Sequence, residues 1–423
     1  MNFLNYKNDI LHIENVSLEK IAEVSGTPTY VYSERAIHKN FNNLNRALEN
    51  KLGVNNDKLI AFSVKSNSNI AFINSLNKLN SGADVVSEGE LKRSLVAGIK
   101  GEKIVFSGVG KTPEEMLFAL ENNVLQFNVE SISELTQLSE IAISNNKIAP
   151  IAFRINPDII AGGHEKISTG GSNTKFGIPY DEAIQIYEYA KGLSGVEIVG
   201  IDIHIGSQIT NLGPFKLAFE KILILYNELN KLGHNITNID LGGGIGIQYL
   251  DSDKIFSVDD YAELVKDYFG NLNCKLIFEP GRYLSASAGI LLTKVIRTKN
   301  AYNNNFLIID AAMNDFIRPA LYEASHQIKI VSLEGNLDEK IQYNVVGPIC
   351  ETGDILGEIT ASRILNSEDY LIIKDVGAYG AVMSSNYNSR SLISEVMVSD
   401  DNLNIIRKRI TTEDFISYEN IPS

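Results

Sequence analysis

The sequence predicts an α/β fold: a (β/α)8 TIM-like barrel followed by a C-terminal mostly β domain. Three observations carry this. Eight short apolar runs alternate with helix-like stretches over roughly 250 residues, the length of one such barrel. The runs are nearly continuous in apolarity, as parallel strands covered on both faces must be. Past residue 285 the helix-like stretches give way to strand-like runs joined by turn-rich loops.

The elements follow in chain order. "SERAIHKNFNNLNRALEN" sets Ile37, Phe41, Leu44 and Leu48 on one helical face. The eight runs are "LIAFSVK", "ADVVS", "KIVFSG", "LQFNVES", "IAFRINP", "VGIDIHIGS", "NIDLGGG" and "LIFEPGR". Between them, "TPEEMLFALEN" and "SISELTQLSEIAISNN" carry helix caps and helical periodicity. A doubly wound sheet is the competing layout; the count of eight favours the barrel. Later, "NNFLIIDAAM", "KIQYNVVGPICETGDIL" and "DYLIIKDVGAYGAVM" read as strands. The expected domains are an N-terminal segment, residues 1–30, packing with the β domain; the barrel, residues 31–284; and the β domain, residues 285–423.

Composition narrows the function classes. A formal net charge of −14 with no basic patch argues against nucleic acid and anionic membranes as partners. No signal-like N-terminus is read, and no apolar run approaches the roughly 18 residues of a membrane span. Two cysteines, Cys274 and Cys350, make no disulfide scaffold and suit a reducing cytoplasm. The six histidines lack ligand spacing, so no metal site is expected.

Chemistry in such barrels sits at the C-terminal strand ends. Here those ends read Lys65, Ser87, Ser107, Glu130, Arg154 to Asn156, His204 to Ser207, Gly242 to Gly244 and Glu279 to Arg282. A lysine there is either a solvated charge or a nucleophile. "DLGGGIG", with Gly242, Gly243, Gly244 and Gly246, is either a tight turn or a phosphate loop. In "EPGR", Glu279 and Arg282 form an ion pair, or Glu279 faces a heterocyclic nitrogen while Arg282 holds an anion. His204, read as alternating inward with Asp202 and Gly206, is a core histidine or a platform for a flat ring, with Ser207 beside it for phosphate. Taken together, a lysine, a phosphate loop, a carboxylate and an imidazole at one barrel mouth are what pyridoxal phosphate requires.

These motifs give the chain a resemblance. "SVKSN", "HIGSQ", "GGGIG", "EPGR", "STGGSNTKFGI", "RPALYEASH", "CETGD" and "GAYG" resemble those of the barrel-type, alanine racemase-like (fold type III) decarboxylases that depend on pyridoxal phosphate, and among them the diaminopimelate decarboxylases. One departure is Glu88, where many relatives have glycine. The resemblance implies that Lys65 holds the cofactor covalently. It implies that His204 stacks on the ring and Glu279 pairs with its nitrogen. Ser207, the glycine loop, Pro280, Gly281, Arg282 and Tyr379 complete the cofactor set. Arg282, Arg318, Tyr322, Glu351 and Tyr379 hold an amino-acid substrate, and Cys350 donates a proton. It further implies a homodimer with shared active sites, and the conversion of meso-2,6-diaminopimelate to L-lysine and CO2, the last step of lysine biosynthesis.

The residues alone read Cys350 as a buried small apolar side chain. Decarboxylases acting on ornithine, arginine or carboxynorspermidine would share Lys65, His204 and Glu279, but typically lack the "RPALYEASH" arrangement. Glu279 argues against an alanine racemase, which places a cation on the ring nitrogen. A non-catalytic pyridoxal carrier would lack the C-terminal β domain.

Overall fold

The computed structural model describes residues 3–54, 56–160, 162, 169–171, 174–333 and 340–422. Part of the loop over 157–176, including part of "STGGSNTKFGI", therefore lies outside the described residues. The chain forms two compact units. One takes residues 39–247 and 254–284; the other takes residues 1–38, 248–253 and 285–423.

The first unit is the barrel. Its strands are β1 (Lys58–Ser63), β2 (Gly82–Val85), β3 (Ile104–Phe106), β4 (Gln126–Val129), β5 (Ala149–Asn156), β6 (Val196–Asp202), β7 (Asn238–Asp240) and β8 (Lys275–Phe278). All neighbours pair in parallel, and β8 closes on β1 with Ile277 opposite Leu59. The eight runs of the sequence are thus the eight staves. They form strands because residues such as Ile60, Phe62, Val105, Phe127 and Phe153 are buried on a sheet covered on both sides. The helices between them start at clear caps. Thr112 caps Pro113–Glu121 in a reciprocal box with Glu115, and Ser131 caps Ile132–Ser144. Ser87 Oγ accepts the Glu90 N–H to cap Glu88–Val96. Glu88 sits in that first turn, paired with Lys92, a surface role that tolerates its departure from glycine. Helix Glu34–Leu52 buries Ile37, Phe41, Leu44 and Leu48, as their spacing predicts.

Lys111 is a buried cation of this unit. Its Nζ donates to the carbonyls of Gly108 (2.8 Å) and Asn128 (2.8 Å) and to Glu134 Oε1 (2.7 Å). Glu134 also accepts the Glu130 N–H at 2.9 Å, so the network ties the loop after β3 to the start of the helix after β4.

The second unit is a mostly β structure. Its strand order is Ile355–Ala361, Ile341–Val346, Asn304–Ile309, Gly289–Ala301, Thr29–Ser33, Ser394–Ser399 and Asn402–Arg407. The sequence reading picked out three stretches here and passed over "GILLTKVIRTKNA". That 13-residue strand is the organiser: it pairs antiparallel with Thr29–Ser33, with Tyr370–Lys374 and with Asn304–Ile309. Its second half alternates charge with apolar residues and is partly exposed, which hid it. A core of Leu11, Leu18, Ile21, Val31, Ile290, Leu292, Ile372 and Val396 lies on it. Burial of each larger side chain contributes about 1.5–3 kcal/mol.

Two stability predictions follow from the buried charges. Lys111→Met leaves the Glu134 carboxylate and two carbonyls buried without their cation, and should cost about 3–5 kcal/mol by urea unfolding. Lys92→Met, which removes an exposed pair, should cost less than about 0.5 kcal/mol. Asp375 follows strand Tyr370–Lys374 at a left-handed φ of 59°. Burial pushes it up to about 6, against the pull of Lys374 and Lys329. Its folded pKa lies above its unfolded one, so its contribution is present in full below about pH 4 and is lost as pH rises through about 6. Asp375→Asn keeps the backbone conformation available and removes the charge. The variant should gain roughly 2 kcal/mol over the parent at pH 7.5 and little at pH 4. An equal difference at both values would contradict this.

Candidate active site

The barrel site is assembled at the C-terminal ends of the strands. β1 ends at Ser63, and a single 3-10 turn, Val64–Ser66, carries Lys65. The Asn67 N–H on the Val64 carbonyl (2.9 Å) and Ser66 Oγ on the Ser63 carbonyl (2.8 Å) close the turn. Lys65 therefore stands beyond the strand rather than at its tip, because strand pairing stops at Ser63 opposite Asp84. Its Nζ lies 3.1 Å from Asp84 Oδ2, the oxygen that also accepts Ser63 Oγ at 2.8 Å. Asp84 is wholly buried, whereas 33% of the Lys65 side chain is exposed. The amine is tethered and still reachable.

β6 ends at Asp202, so His204 belongs to the following loop and not to the strand alternation read from sequence. Its Nδ1 accepts the Gly243 N–H at 3.1 Å, which leaves the ring proton on Nε2. Burial, then the charges of Lys65 and Arg154, hold this partly buried imidazole well below the usual histidine range. It is neutral. Ser207 Oγ accepts Arg282 Nη2 at 3.0 Å.

The glycine loop is packed more tightly than an open cradle. A Cβ on Gly243 would meet the Glu279 carbonyl at 2.2 Å; Gly242, at a φ of +63°, would meet the Ile203 carbonyl at 2.3 Å. Glycine here lets the loops after β6, β7 and β8 close on one another. The Gly242 N–H donates to Asp240 Oδ1 (3.1 Å), and the Gly246 N–H to the Ile209 carbonyl (3.0 Å). The Gly244 carbonyl accepts the Ile209 N–H at 2.9 Å. The turn after β8 lies against β1: the Pro280 carbonyl accepts the Ser63 N–H at 3.4 Å, and a Cβ on Gly281 would meet Ser63 and Ser66 at 3.0–3.1 Å.

Glu279 is the charged centre of the mouth. Its carboxyl lies with those of Asp202 and Asp240, one oxygen of each within 4.8 Å of the others, all buried. Ser107 Oγ reaches Glu279 Oε1 at 3.5 Å. Burial first, then Asp240, Asp84 and Asp202, raise Glu279 well above the carboxylate range, while Lys65 opposes. Burial pushes Asp240 up to about 7, against the pull of the Gly242 N–H. Burial and the Asp240 charge likewise raise Asp202, and Arg154 opposes. Protons are therefore shared within this group at neutral pH.

Several contributors were not assigned roles from sequence. Arg154 Nη1 pairs with Glu130 Oε1 at 3.0 Å, and Asn128 Nδ2 donates to Ser107 Oγ at 3.2 Å. Gln126 and Asn128 occupy alternate positions of β4, which is the signal that could have found them.

The remaining expected residues lie in the β unit. Arg318 opens the one-turn helix Arg318–Tyr322 and is buried; Tyr322, four residues on, is half-buried. Cys350 and Glu351 lie on the loop before strand Ile355–Ala361. Cys350 is exposed, contrary to the default reading, and Cys274 is the buried cysteine. Asp354 pins that loop by accepting the N–H groups of Met313 and Ile349, each at 2.7 Å. Tyr387 OH donates to the Glu351 carboxylate. Tyr379 is half-buried at a φ of +56°.

The barrel residues fit pyridoxal phosphate. A reachable amine, a protonated carboxyl, a neutral imidazole and an Arg282–Ser207 pair face one mouth. The buried Oδ1 atoms of Asp84 and Asp202 lack a hydrogen-bond partner, a polarity that a bare structural barrel would not retain.

Comparison with known proteins agrees. The family described as pyridoxal-dependent decarboxylase, pyridoxal binding domain, matches residues 34–286. The diaminopimelate decarboxylase of Zymomonas mobilis is 47% identical over 98% of this chain and 97% of its own. The crystal structure of diaminopimelate decarboxylase from Helicobacter pylori complexed with L-lysine is 38% identical, covers 94% of this chain and 98% of that one, and has a TM-score of 0.89. The M. jannaschii enzyme in co-complex with L-lysine is 37% identical over 99% and 98%, with a TM-score of 0.92. The chain belongs to the pyridoxal-dependent decarboxylases, in the diaminopimelate decarboxylase family.

Proposed function

We propose that this enzyme removes CO2 from meso-2,6-diaminopimelate to give L-lysine, the last step of lysine biosynthesis. The observation that carries the reaction is the Lys65 amine, held 3.1 Å from the buried Asp84 carboxylate yet still reachable, at the strand ends that also carry Glu279. The substrate rests on full-length identity to diaminopimelate decarboxylases.

Pyridoxal phosphate, when bound, supplies an electron sink for the pair left on carbon as CO2 departs. The chain's own residues do the rest. Lys65 would hold the cofactor through its side-chain amine. Glu279 keeps a proton at the ring nitrogen, which deepens the sink. Neutral His204 would offer a flat face, while Ser207, the Gly242 to Gly246 loop, Pro280, Gly281 and Arg282 would hold the phosphate with Tyr379. The substrate's distal end carries an ammonium and a carboxylate. Glu351 suits the first; Arg282 and Arg318, with Tyr322 and Tyr379, suit the second. When the carbon–carbon bond breaks, the Cys350 thiol gives its proton to the carbon that loses CO2.

The reading includes a homodimer whose sites are shared. The exposed loop with Cys350 and Glu351, pinned at its base by Asp354, is the segment that would reach a neighbouring subunit. It also places the enzyme in the cytoplasm, where an exposed thiol stays reduced. Among the described residues no helix is long and apolar enough to cross a membrane.

Two experiments test this. The purified enzyme with pyridoxal phosphate should release CO2 from meso-diaminopimelate and not from lysine, ornithine or arginine; Lys65→Ala should lose the visible-edge absorbance of the bound cofactor and at least about 10³-fold in kcat. Release from ornithine or arginine alone would sink the substrate. Mixing inactive Lys65→Ala with inactive Cys350→Ala should restore about a quarter of wild-type activity, because random pairing rebuilds one complete site in each mixed dimer. No recovery would remove the shared site.

A further inference from the structure

Gln126 and Asn128 bring two side-chain amides from alternate positions of β4, and both are wholly buried. A barrel interior is ordinarily filled by branched apolar side chains. A buried amide is costly unless its polar atoms are met. Here they are met by a directed chain. Asn238 Nδ2 donates to Gln126 Oε1 at 2.9 Å, and Gln126 Nε2 donates to Asn128 Oδ1 at 2.8 Å. With its oxygen turned to Gln126, Asn128 turns its Nδ2 to its other neighbours. That nitrogen carries two hydrogens. One goes to Ser107 Oγ at 3.2 Å and the other to Asp240 Oδ2 at 3.4 Å. The Asn128 backbone is held as well, since its carbonyl accepts Lys111 Nζ at 2.8 Å.

The two acceptors of Nδ2 are groups that meet the Glu279 carboxyl. Ser107 Oγ accepts from Asn128 and turns its own hydrogen to Glu279 Oε1 at 3.5 Å. That is long for a hydroxyl donor, as hydrogen bonds of catalytic groups commonly are until the reacting partner draws them in. Asp240 meets Glu279 carboxyl to carboxyl, a hydrogen bond that needs a proton on one of them. One amide therefore stands behind two supports of Glu279, and Gln126 fixes which way that amide faces. The charged groups around the pair are Asp84, Asp202 and Lys65, with Arg154 and Glu130 beside Asp202. An amide suits this place. It supplies donors to a crowded acidic group without adding a charge, and its fixed polarity keeps its oxygen away from the carboxyls.

We propose that Asn128, oriented by Gln126, is a positioning residue for Glu279, setting its carboxyl at the ring nitrogen of the cofactor through Ser107 and Asp240. This rests on the reading that Glu279 meets that nitrogen.

The test uses the full chain. Titration gives its Kd for pyridoxal phosphate, the visible-edge absorbance reports the bound ring, and kinetics give kcat and KM for meso-diaminopimelate. Asn128→Leu keeps the size of the side chain and removes its donors; Ser107→Ala removes one of the two links. Each should weaken the cofactor and lower kcat by about tenfold, shift the absorbance, and leave KM within about twofold. Ser107→Thr keeps the hydroxyl and should stay within about twofold of the wild type throughout. Should Asn128→Leu not fold, Gln126→Leu leaves Asn128 in place without its orienting donor and is read in the same way. Each substitution is repeated in a Glu279→Ala background, where it should change Kd by less than about twofold, because the carboxyl it positions is gone. If the substitutions weaken the cofactor equally in both backgrounds, the amides merely pack the barrel and the proposal fails, while the reading of Glu279 stands. If they leave Kd, absorbance and kcat unchanged, the proposal fails as well. If Glu279→Ala itself binds the cofactor with the affinity and absorbance of the wild type, the ring-nitrogen reading falls, and the positioning role with it.

Discussion

Four carboxyl groups, Asp84, Asp202, Asp240 and Glu279, are buried at one end of a single barrel, and the state of nearly every other group there depends on how that charge is met. An uncompensated buried carboxylate costs several kcal/mol. Two cations, Lys65 and Arg154, meet part of the load. Side-chain amides and a loop N–H meet another part at Asp240. The remainder is met by protons, retained on Asp240 and Glu279. The same field bears on His204: burial first, and then the cations that serve the carboxylates, hold the imidazole well below the usual histidine range. One electrostatic constraint thus bears on Asp240, Glu279 and His204 together.

The loops after β6, β7 and β8 could not carry that constraint if they were further apart. Their backbones touch at distances no side chain would allow, through Gly242 and Gly243. Close approach, more than backbone freedom in isolation, is what the glycine run supplies. It brings the Gly243 N–H to the imidazole and the Gly242 carbonyl to the Glu279 N–H at 2.8 Å.

Much of this was legible in the sequence, for a physical reason. Parallel strands covered on both faces read as unbroken apolar runs, so all eight staves were visible, with the polar ring at their ends. What the sequence hid was the third dimension of individual residues. Lys65 and Lys111 both follow a barrel strand and are alike as letters. Lys111 has all three N–H donors satisfied inside the unit and is buried, while 33% of the Lys65 side chain is exposed. His204 looked like a strand residue because the alternation runs on past the last ladder bond. Cys350 looked buried because most free cysteines are; the loop held by Asp354 exposes it. Tyr249 and His326 lie 77 positions apart in sequence, and only the folded β unit sets them on the Arg318 guanidinium.

The chain passes between its two compact units at residues 38/39, 247/248, 253/254 and 284/285. Six residues, 248–253, leave the first unit's sequence, serve the second, and return. Neither unit is a continuous stretch of gene. An evolutionary event that exchanged either one whole would need several coordinated breaks, and a fragment cut at residue 284 would strand Tyr249 from Arg318. Neither unit can therefore be cut out of the chain as one uninterrupted piece.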